Sequence, residues 1–233
     1  VVYHLAGVLP DARTPSVDVI EGNLGTTQSV LELCAAARIE RCIFTSTKSV
    51  YPYRNPDYNP VDEEHEIAPP ELYGAAKYAA EVLSRGYAEQ FGFPMAVLRC
   101  TGIYGRGRDR GALARVVRSA LRGEDVRLES ESGREFDMVH VSDVVEALLL
   151  ASRADIPGYR VYNVGAGECR PLEWYARFIL DEIGGASRLD LRLREGGAAC
   201  TLDISRARNE LGYSPAPLRQ RLVEYIREMG GTK

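Results

Sequence analysis

Apolar residues in this chain fall either in short continuous runs or in stretches with a helical period. The first run, residues 1–7, ends at a glycine and is typical of a buried strand. Apolar positions then recur at helical spacing over 23–37, with further strand-like runs at 41–45 and 95–99. An alanine-rich stretch without proline, 71–91, predicts a helix between those two runs. This β-α-β-α-β order with short connections predicts an α/β fold with a doubly wound parallel sheet.

After residue 107 the pattern loosens. It predicts helices over 112–121, 141–151, 172–183 and 218–229, and strands over 126–128 and 160–164. Ser142 and Asp143 are good capping residues near the start of the second of these helices. In parallel sheets, ligands bind at the carboxyl ends of the strands. Gly7, Thr47 and Thr101 are each expected just past such an end.

The amino-acid composition indicates which kinds of binding partner are not expected. The chain has 233 residues, 45% of them hydrophobic, and a formal net charge of -4, so no nucleic-acid partner is implied. No apolar run approaches the length of a membrane span, and no secretory segment opens the chain, so we expect no membrane partner. Five scattered cysteines without a C-x-x-C pair predict reduced thiols, a cytoplasmic location and no metal framework.

The candidate chemistry centres on Tyr73 and Lys77, which lie four residues apart in the predicted helix and therefore on one face of it. A lysine ammonium beside a phenol favours the phenolate, which lowers the tyrosine pKa from its usual value of about 10 toward the range of a general base. By itself this spacing is also that of an ordinary surface pair. However, the chain has only three lysines, Lys48, Lys77 and Lys233. A lysine at this position is therefore less easily explained as an ordinary surface residue.

Several motifs occur together in a fixed order. They are His4-Leu5-Ala6-Gly7, Asn23-Leu24-Gly25-Thr26, Ser46-Thr47 with Val50-Tyr51, Tyr73-Gly74-Ala75-Ala76-Lys77, Leu98-Arg99 to Tyr104-Gly105, Asp137 to Val144, Tyr162 to Gly165, and Asp203 to Ala207. Over nearly the whole chain this series resembles the extended short-chain dehydrogenase/reductase family, the NAD-dependent sugar epimerases and dehydratases. The resemblance implies a Rossmann-like sheet. Residues 1–107 would be the remainder of the dinucleotide-binding domain, and 108–233 mainly a smaller substrate-binding lobe with some segments returning to the sheet.

The resemblance also implies roles for individual residues. Tyr73 would be the catalytic acid-base, Lys77 would lower its pKa and bind the cofactor ribose, and Thr47 would orient the reacting oxygen. The expected contacts with the cofactor come from Leu5, Ala6, Gly7, Asn23, Thr45, Tyr73, Lys77, Cys100 and Thr101. The family's glycine-rich turn and ribose selector are expected upstream of Val1. The choice between NAD and NADP is therefore not readable from these residues, although NAD is favoured.

Departures from the family pattern bear on the substrate. The 4,6-dehydratases carry Asp-Glu directly after the catalytic threonine, where this chain has Lys48 and Ser49, so a dehydratase is disfavoured. Many epimerases have a substrate-contacting asparagine where Gly102 stands, and a phosphate-binding arginine where Phe136 stands. Arg134 and Arg194 are the remaining candidates for phosphate contacts, and Thr47 and Gly102 complete the expected substrate-binding set.

Two functions remain open on this evidence. The first is a sugar-nucleotide epimerase or related oxidoreductase. The second is a dehydrogenase or reductase of a small substrate without a nucleotide, which would explain Gly102 and Phe136. A binding module without activity is disfavoured because Thr47, Tyr73 and Lys77 are all kept. The family resemblance further implies a homodimer that packs through the helices beginning near Asn23 and Glu71, where the small residues Ala75, Ala76, Ala79 and Ala80 permit close approach.

Overall fold

The computed structural model describes residues 1–197 and 200–231. Its main sheet has four parallel strands in the order β1-β2-β3-β7: β1 (Val2–His4), β2 (Cys42–Thr47), β3 (Met95–Cys100) and β7 (Tyr159–Val164). This confirms the predicted parallel α/β sheet. Strand β2 continues two residues beyond the predicted 41–45, so Thr47 is its last residue rather than the first residue after it.

Helices cover both faces of this sheet because its strands alternate in the direction of their side chains. Residues 42, 44, 95 and 97 pack with α2 (Thr26–Ala37) and α3 (Leu72–Phe91). Residues 43, 96 and 98 pack instead against α5 (Val141–Arg153) and α7 (Ser205–Leu211). The strands are therefore apolar on both faces, as expected of a parallel sheet.

The helix predicted over 23–37 begins later than expected. A short helix, α1 (Ser16–Ile20), leads into a π-helical turn, Glu21–Gly25, and α2 follows at Thr26. Asn23 thus lies in the turn, fully buried, with its side-chain amide donating to the carbonyl oxygens of Val8 and Val19. π-Helical turns are rare and frequently lie at functional sites.

The rest of the chain builds a smaller lobe around its own core. Helices α4 (Ala112–Leu121), α6 (Leu172–Ile183) and α8 (Leu218–Gly230) pack against a parallel ribbon of β5 (Val126–Glu131) and β9 (Leu189–Arg194). A second small sheet, in the order β4-β6-β8, joins β4 (Gly102–Tyr104), β6 (Glu135–His140) and β8 (Cys169–Pro171). In the described residues, no helix is long and apolar enough to cross a membrane.

Two details correct the sequence interpretation. Helix α5 is capped by the side chain of His140, which accepts a hydrogen bond from the backbone N–H of Ser142, and not by Ser142 or Asp143. The carboxylate of Asp143 instead accepts hydrogen bonds from the guanidinium of Arg221. The prediction of free thiols is confirmed, since all five cysteines are free, and all five are buried.

Candidate active site

The site lies where β1, β2 and β3 end. The turn of residues 5–7 follows β1, Thr47 ends β2, and Cys100 ends β3 with Thr101 directly after it. Since the strands are parallel and adjacent, these ends share one edge of the sheet. These three segments therefore lie side by side at that edge.

Helix α3 brings Tyr73 and Lys77 to this edge. Its first turn runs very close to the turn that follows β2: a Cβ atom built on Gly74 would lie 2.1 Å from the carbonyl oxygen of Ser49. Only a residue without a side chain allows this approach. Gly74 thereby sets Tyr73, one residue earlier, beside the segment that carries Thr47.

Thr47 has two tasks in this geometry. Its hydroxyl oxygen accepts a hydrogen bond of 3.2 Å from the backbone N–H of Ser49, which caps the short 3-10 turn Lys48–Val50. The same hydroxyl also acts to lower the pKa of Tyr73. Thr47 thus caps a turn and influences the candidate base.

The pKa of Tyr73 departs from the sequence expectation. Burial raises it, the nearby thiol of Cys100 raises it further, and Arg108 and Thr47 oppose this only in part. Lys77 is not among the groups that act on it, so the expected lowering by Lys77 is not found. The physical reason is that desolvation disfavours the charged phenolate.

Lys77 is buried, which its sequence context did not reveal. Its side chain is 4% exposed, and the ammonium nitrogen lies 4.1 Å from the centroid of the Phe44 ring. Burial lowers its pKa to about 8, while Glu81 and Cys100 act in the opposite direction. Within the described residues this nitrogen has no hydrogen-bond partner, so its donors are available to a ligand.

The geometry around Lys77 fits a bound dinucleotide. A Cβ atom at Gly7 would stand 2.7 Å from the side-chain oxygen of Asn23 and 3.9 Å from the Lys77 nitrogen, so the bare turn of Leu5, Ala6 and Gly7 forms an open cradle. The Asn23 oxygen is buried without a partner among the described residues. The Thr101 hydroxyl acts instead on the buried carboxylate of Asp137, whose pKa it lowers. Buried polar atoms are rarely left unpaired, and such a group calls for a ligand or water.

The other two expected cofactor residues differ in character. The Thr45 hydroxyl donates to the backbone oxygen of His4 at 3.2 Å, so it holds β1 against β2. Cys100 is buried, and burial raises the pKa of its thiol to about 12. It lies close enough to Lys77 and Tyr73 to act on both pKa values.

Arg134 and Arg194 meet in a separate cavity of about 230 Å³ in the smaller lobe, which is also lined by Phe136, Glu129, Ser130 and Glu131. The guanidinium of Arg134 lies 5.2 Å from the Phe136 ring centroid and pairs with Glu131 at 3.1 Å. Arg194 pairs with Glu129 across the β5–β9 ribbon. The sequence analysis missed these two glutamates. The alternation of leucine and charged residues in 189–194 is the signal that would have placed Arg194 on a strand.

Gly102 is not part of that cavity. A Cβ atom there would lie 2.7 Å from the sulfur of Met138, so the methionine fills the space into which a side chain at 102 would point. Any contact of Gly102 with a substrate is thus restricted to its backbone. In the described part of the chain, no group of three His, Cys, Asp or Glu residues is arranged to hold a metal ion.

Comparison with known proteins supports this architecture. The chain is 30% identical over 81% of its length to UDP-N-acetyl-alpha-D-glucosaminuronate decarboxylase of Bacillus cytotoxicus. The structure of MoeE5 in complex with UDP-glucuronic acid and NAD superposes with a TM-score of 0.85 and 30% identity, covering 96% of this chain and 77% of that one. UDP-glucose 4-epimerase of Thermotoga maritima with UDP-glucose gives a TM-score of 0.85 and 26% identity, covering 96% and 75%.

The chain matches only part of the length of its relatives. The chain spans 61% of the decarboxylase and 59% of another curated relative. The sequence model of one family, described as the NAD dependent epimerase/dehydratase family, matches residues 1–165, well over half of the chain. With the parallel sheet and the cradle around Lys77, this match shows that the chain belongs to the NAD dependent epimerase/dehydratase family.

Proposed function

We propose that the protein is an NAD-dependent epimerase or oxidoreductase that acts on a hydroxyl group of a nucleotide sugar. The carrying observation is the convergence of Thr47, Tyr73 and the buried Lys77 amine at the carboxyl edge of the sheet, beside the unpaired side-chain oxygen of Asn23. The relatives described above supply the substrate class, since their names specify UDP-sugars, and MoeE5 was solved with NAD.

The roles of the residues follow from their chemistry. When bound, NAD supplies the acceptor and donor of hydride. Tyr73 removes the proton from the substrate hydroxyl as that carbon is oxidised and returns it on reduction. Thr47 donates a hydrogen bond to the reacting oxygen. Lys77 would donate a hydrogen bond to the cofactor ribose.

The raised pKa of Tyr73 adds a condition to this mechanism. Because burial favours the neutral phenol, proton removal near neutral pH needs positive charge beside it. Arg108 already acts to lower the Tyr73 pKa, and bound oxidised NAD would bring a further positive charge to the site. The base is thus expected to become competent only in the complex, which couples proton removal to occupancy of the cofactor site.

A second function rests on a specific observation. Met138 fills the space beside Gly102, and both candidate phosphate-binding arginines are already paired with glutamates. A dehydrogenase or reductase of a free sugar, a sugar acid or a similar small alcohol would need none of these phosphate contacts. The two functions differ in whether a nucleoside diphosphate binds.

The test is calorimetric binding of UDP to the full-length protein and to Arg194→Ala. A charge-assisted contact is worth roughly 1.5–3 kcal/mol, so we expect at least about a tenfold loss of affinity. Arg177→Ala is the matched control because it also removes an exposed arginine from a surface ion pair, on α6. Equal affinity in parent and Arg194→Ala, or no binding to either, favours the small-substrate dehydrogenase. Nicotinamide absorbance with UDP-sugars against free sugars then decides the substrate.

A further inference from the structure

A fully buried ion pair lies directly behind the candidate catalytic residues. Glu81 and Arg99 are 1% and 5% exposed, and the Arg99 Nη2 and Glu81 Oε2 atoms are 2.7 Å apart. The Arg99 Nε atom also donates to both carboxylate oxygens, at 3.2 and 3.1 Å. This is a bidentate arrangement of the kind that fixes geometry as well as charge.

The pair contacts both elements that carry the candidate catalytic residues, helix α3 and strand β2. Glu81 stands four residues after Lys77 and therefore one turn further along the same face of α3. Its carboxylate also accepts a hydrogen bond from the hydroxyl of Ser46, the residue before Thr47. One carboxylate thus holds the helix that carries Tyr73 and Lys77 against the strand that carries Thr47.

The same pair reaches across the sheet. Arg99 donates to the hydroxyl of Tyr51 at 2.8 Å, and that hydroxyl donates to the side-chain oxygen of Asn163 at 2.9 Å. Asn163 in turn donates to the backbone oxygens of Val61 and Asp203. The groups form one continuous buried chain of hydrogen bonds.

Stability alone does not explain such a pair. Taking two charges out of water costs several kcal/mol each, and well-packed apolar residues of similar volume commonly serve stability as well or better. Its place, one helical turn from Lys77 and one residue from Thr47, indicates a role at the site.

We propose that the Glu81–Arg99 pair is a positioning element that fixes Lys77 relative to Thr47 and keeps the lysine ammonium charged in its buried place. The inference rests on the proposed function for its effect on turnover, although its effect on Lys77 is independent of any substrate. The groups that face Lys77 are Glu81 on its own helix, Cys100 on β3, His4 on β1 and the Phe44 ring on β2. Of these, Glu81 is the carboxylate, and its charge opposes the effect of burial on the lysine.

The first test measures Lys77 directly in the full-length protein without substrate. Trace acetylation as a function of pH, read by mass spectrometry, gives an apparent pKa for each of the three lysines. Glu81→Gln keeps the shape of the side chain and leaves the Arg99 charge unopposed, so we expect the Lys77 pKa to fall by about one unit. Adding Arg99→Met removes that charge and should restore part of the shift. Glu89→Gln is the control, because Glu89 forms an exposed ion pair with Arg85 on the same helix. It should leave the pKa of Lys77 unchanged.

The second test measures turnover. In Glu81→Gln we expect kcat to fall at least tenfold, KM for substrate to stay within about twofold, and the limb of the kcat–pH profile that reports Lys77 to move with its pKa. Glu81→Asp, which keeps the charge, should recover part of kcat. A folded Glu81→Gln protein with unchanged Lys77 pKa overturns the proposal, whatever its activity. A parent protein without turnover on any sugar overturns the proposed function, while the acetylation result still decides the role of the pair.

Discussion

At the scale of single residues, the site combines groups whose protonation is set by burial. Burial raises the pKa of Tyr73 and lowers that of Lys77 to about 8, so each change favours the uncharged form. At neutral pH the phenol is therefore uncharged, whereas a lysine with a pKa of about 8 remains mostly protonated, so formation of the phenolate depends on what is bound beside it. We therefore expect proton transfer to respond strongly to what is bound.

The most direct residue-level prediction concerns the phenol. Tyr73→Phe removes a single hydroxyl, so turnover should fall by roughly 10²–10⁴-fold while NAD affinity stays near that of the parent. Steady-state kinetics and NAD titration of the full-length protein measure the two quantities. Tyr87→Phe, later on the same helix and hydrogen-bonded to Glu32 at the surface, is the control and should keep its turnover. Turnover of Tyr73→Phe within tenfold of the parent would contradict the assignment.

At the scale of elements, the close approach of α3 to the turn after β2 depends on Gly74. In Gly74→Ala the new methyl group meets the Ser49 carbonyl, so the helix must shift. We expect a loss of about 1–3 kcal/mol in the free energy of unfolding. Urea denaturation provides the measurement.

Gly86 offers the matched control in the same helix, because a Cβ atom there meets nothing within 4 Å. Gly86→Ala should raise stability by about 0.5–1 kcal/mol through helix propensity and loss of unfolded-state freedom. Equal effects of the two substitutions would show that the contact at Gly74 is not tight.

Elements also show where sequence reasoning succeeds and where it stops. The strands at 42–47 and 95–100 and the helix at 72–91 were predictable because their apolar patterns are strong and local. The β9 strand was missed because half of its residues are charged, so it lacks a continuous apolar run, and its pairing with β5 joins residues 63 apart, such as Val126 and Leu189. Likewise, the burial of Lys77 depends on the residues that pack around it in the fold. The helical sequence pattern alone does not predict this burial.

At the scale of the whole molecule, Asp137 joins segments that are distant in sequence. Its fully buried carboxylate accepts hydrogen bonds from the backbone N–H groups of Ala166, at 2.9 Å, and Leu202, at 3.3 Å. Burial raises its pKa to about 6 from an ordinary 3.8. Since the folded pKa is the higher one, its contribution to stability is complete below pH 3.8 and is lost as pH rises through about 6.

The raised pKa of Asp137 leads to a prediction about stability and pH. Relative to Asp137→Asn, which does not titrate, the parent should lose roughly 3 kcal/mol of unfolding free energy as pH rises across that window. Denaturant titrations of both proteins at several pH values measure the difference. A flat difference for Asp137→Asn would contradict the raised pKa.

The homodimer stays a prediction at this scale, and the structure refines its surface. Ala76 and Ala80 are buried inside the chain, so they cannot form the contact, whereas Leu33 on α2 and Val82 on α3 are 69% and 48% exposed. We expect light scattering of the full-length protein to give twice the chain mass, and Leu33→Glu with Val82→Glu to give the monomer mass. Leu149→Glu, on the exposed side of α5, is the control. A monomeric parent at micromolar concentration would refute the prediction.

The hydrogen bond between Tyr51 and Asn163 has a consequence for recombination among relatives. It joins residues 112 apart, and it holds Tyr51 in place for Arg99. A chimaera with a crossover between these positions inherits the two ends of the bond from different parents. Where the incoming β7 lacks the asparagine, the tyrosine hydroxyl loses its acceptor, and the disturbance passes through Arg99 to the helix that bears Lys77. Functional crossovers are therefore expected to keep residues 46–163 together as one inherited block.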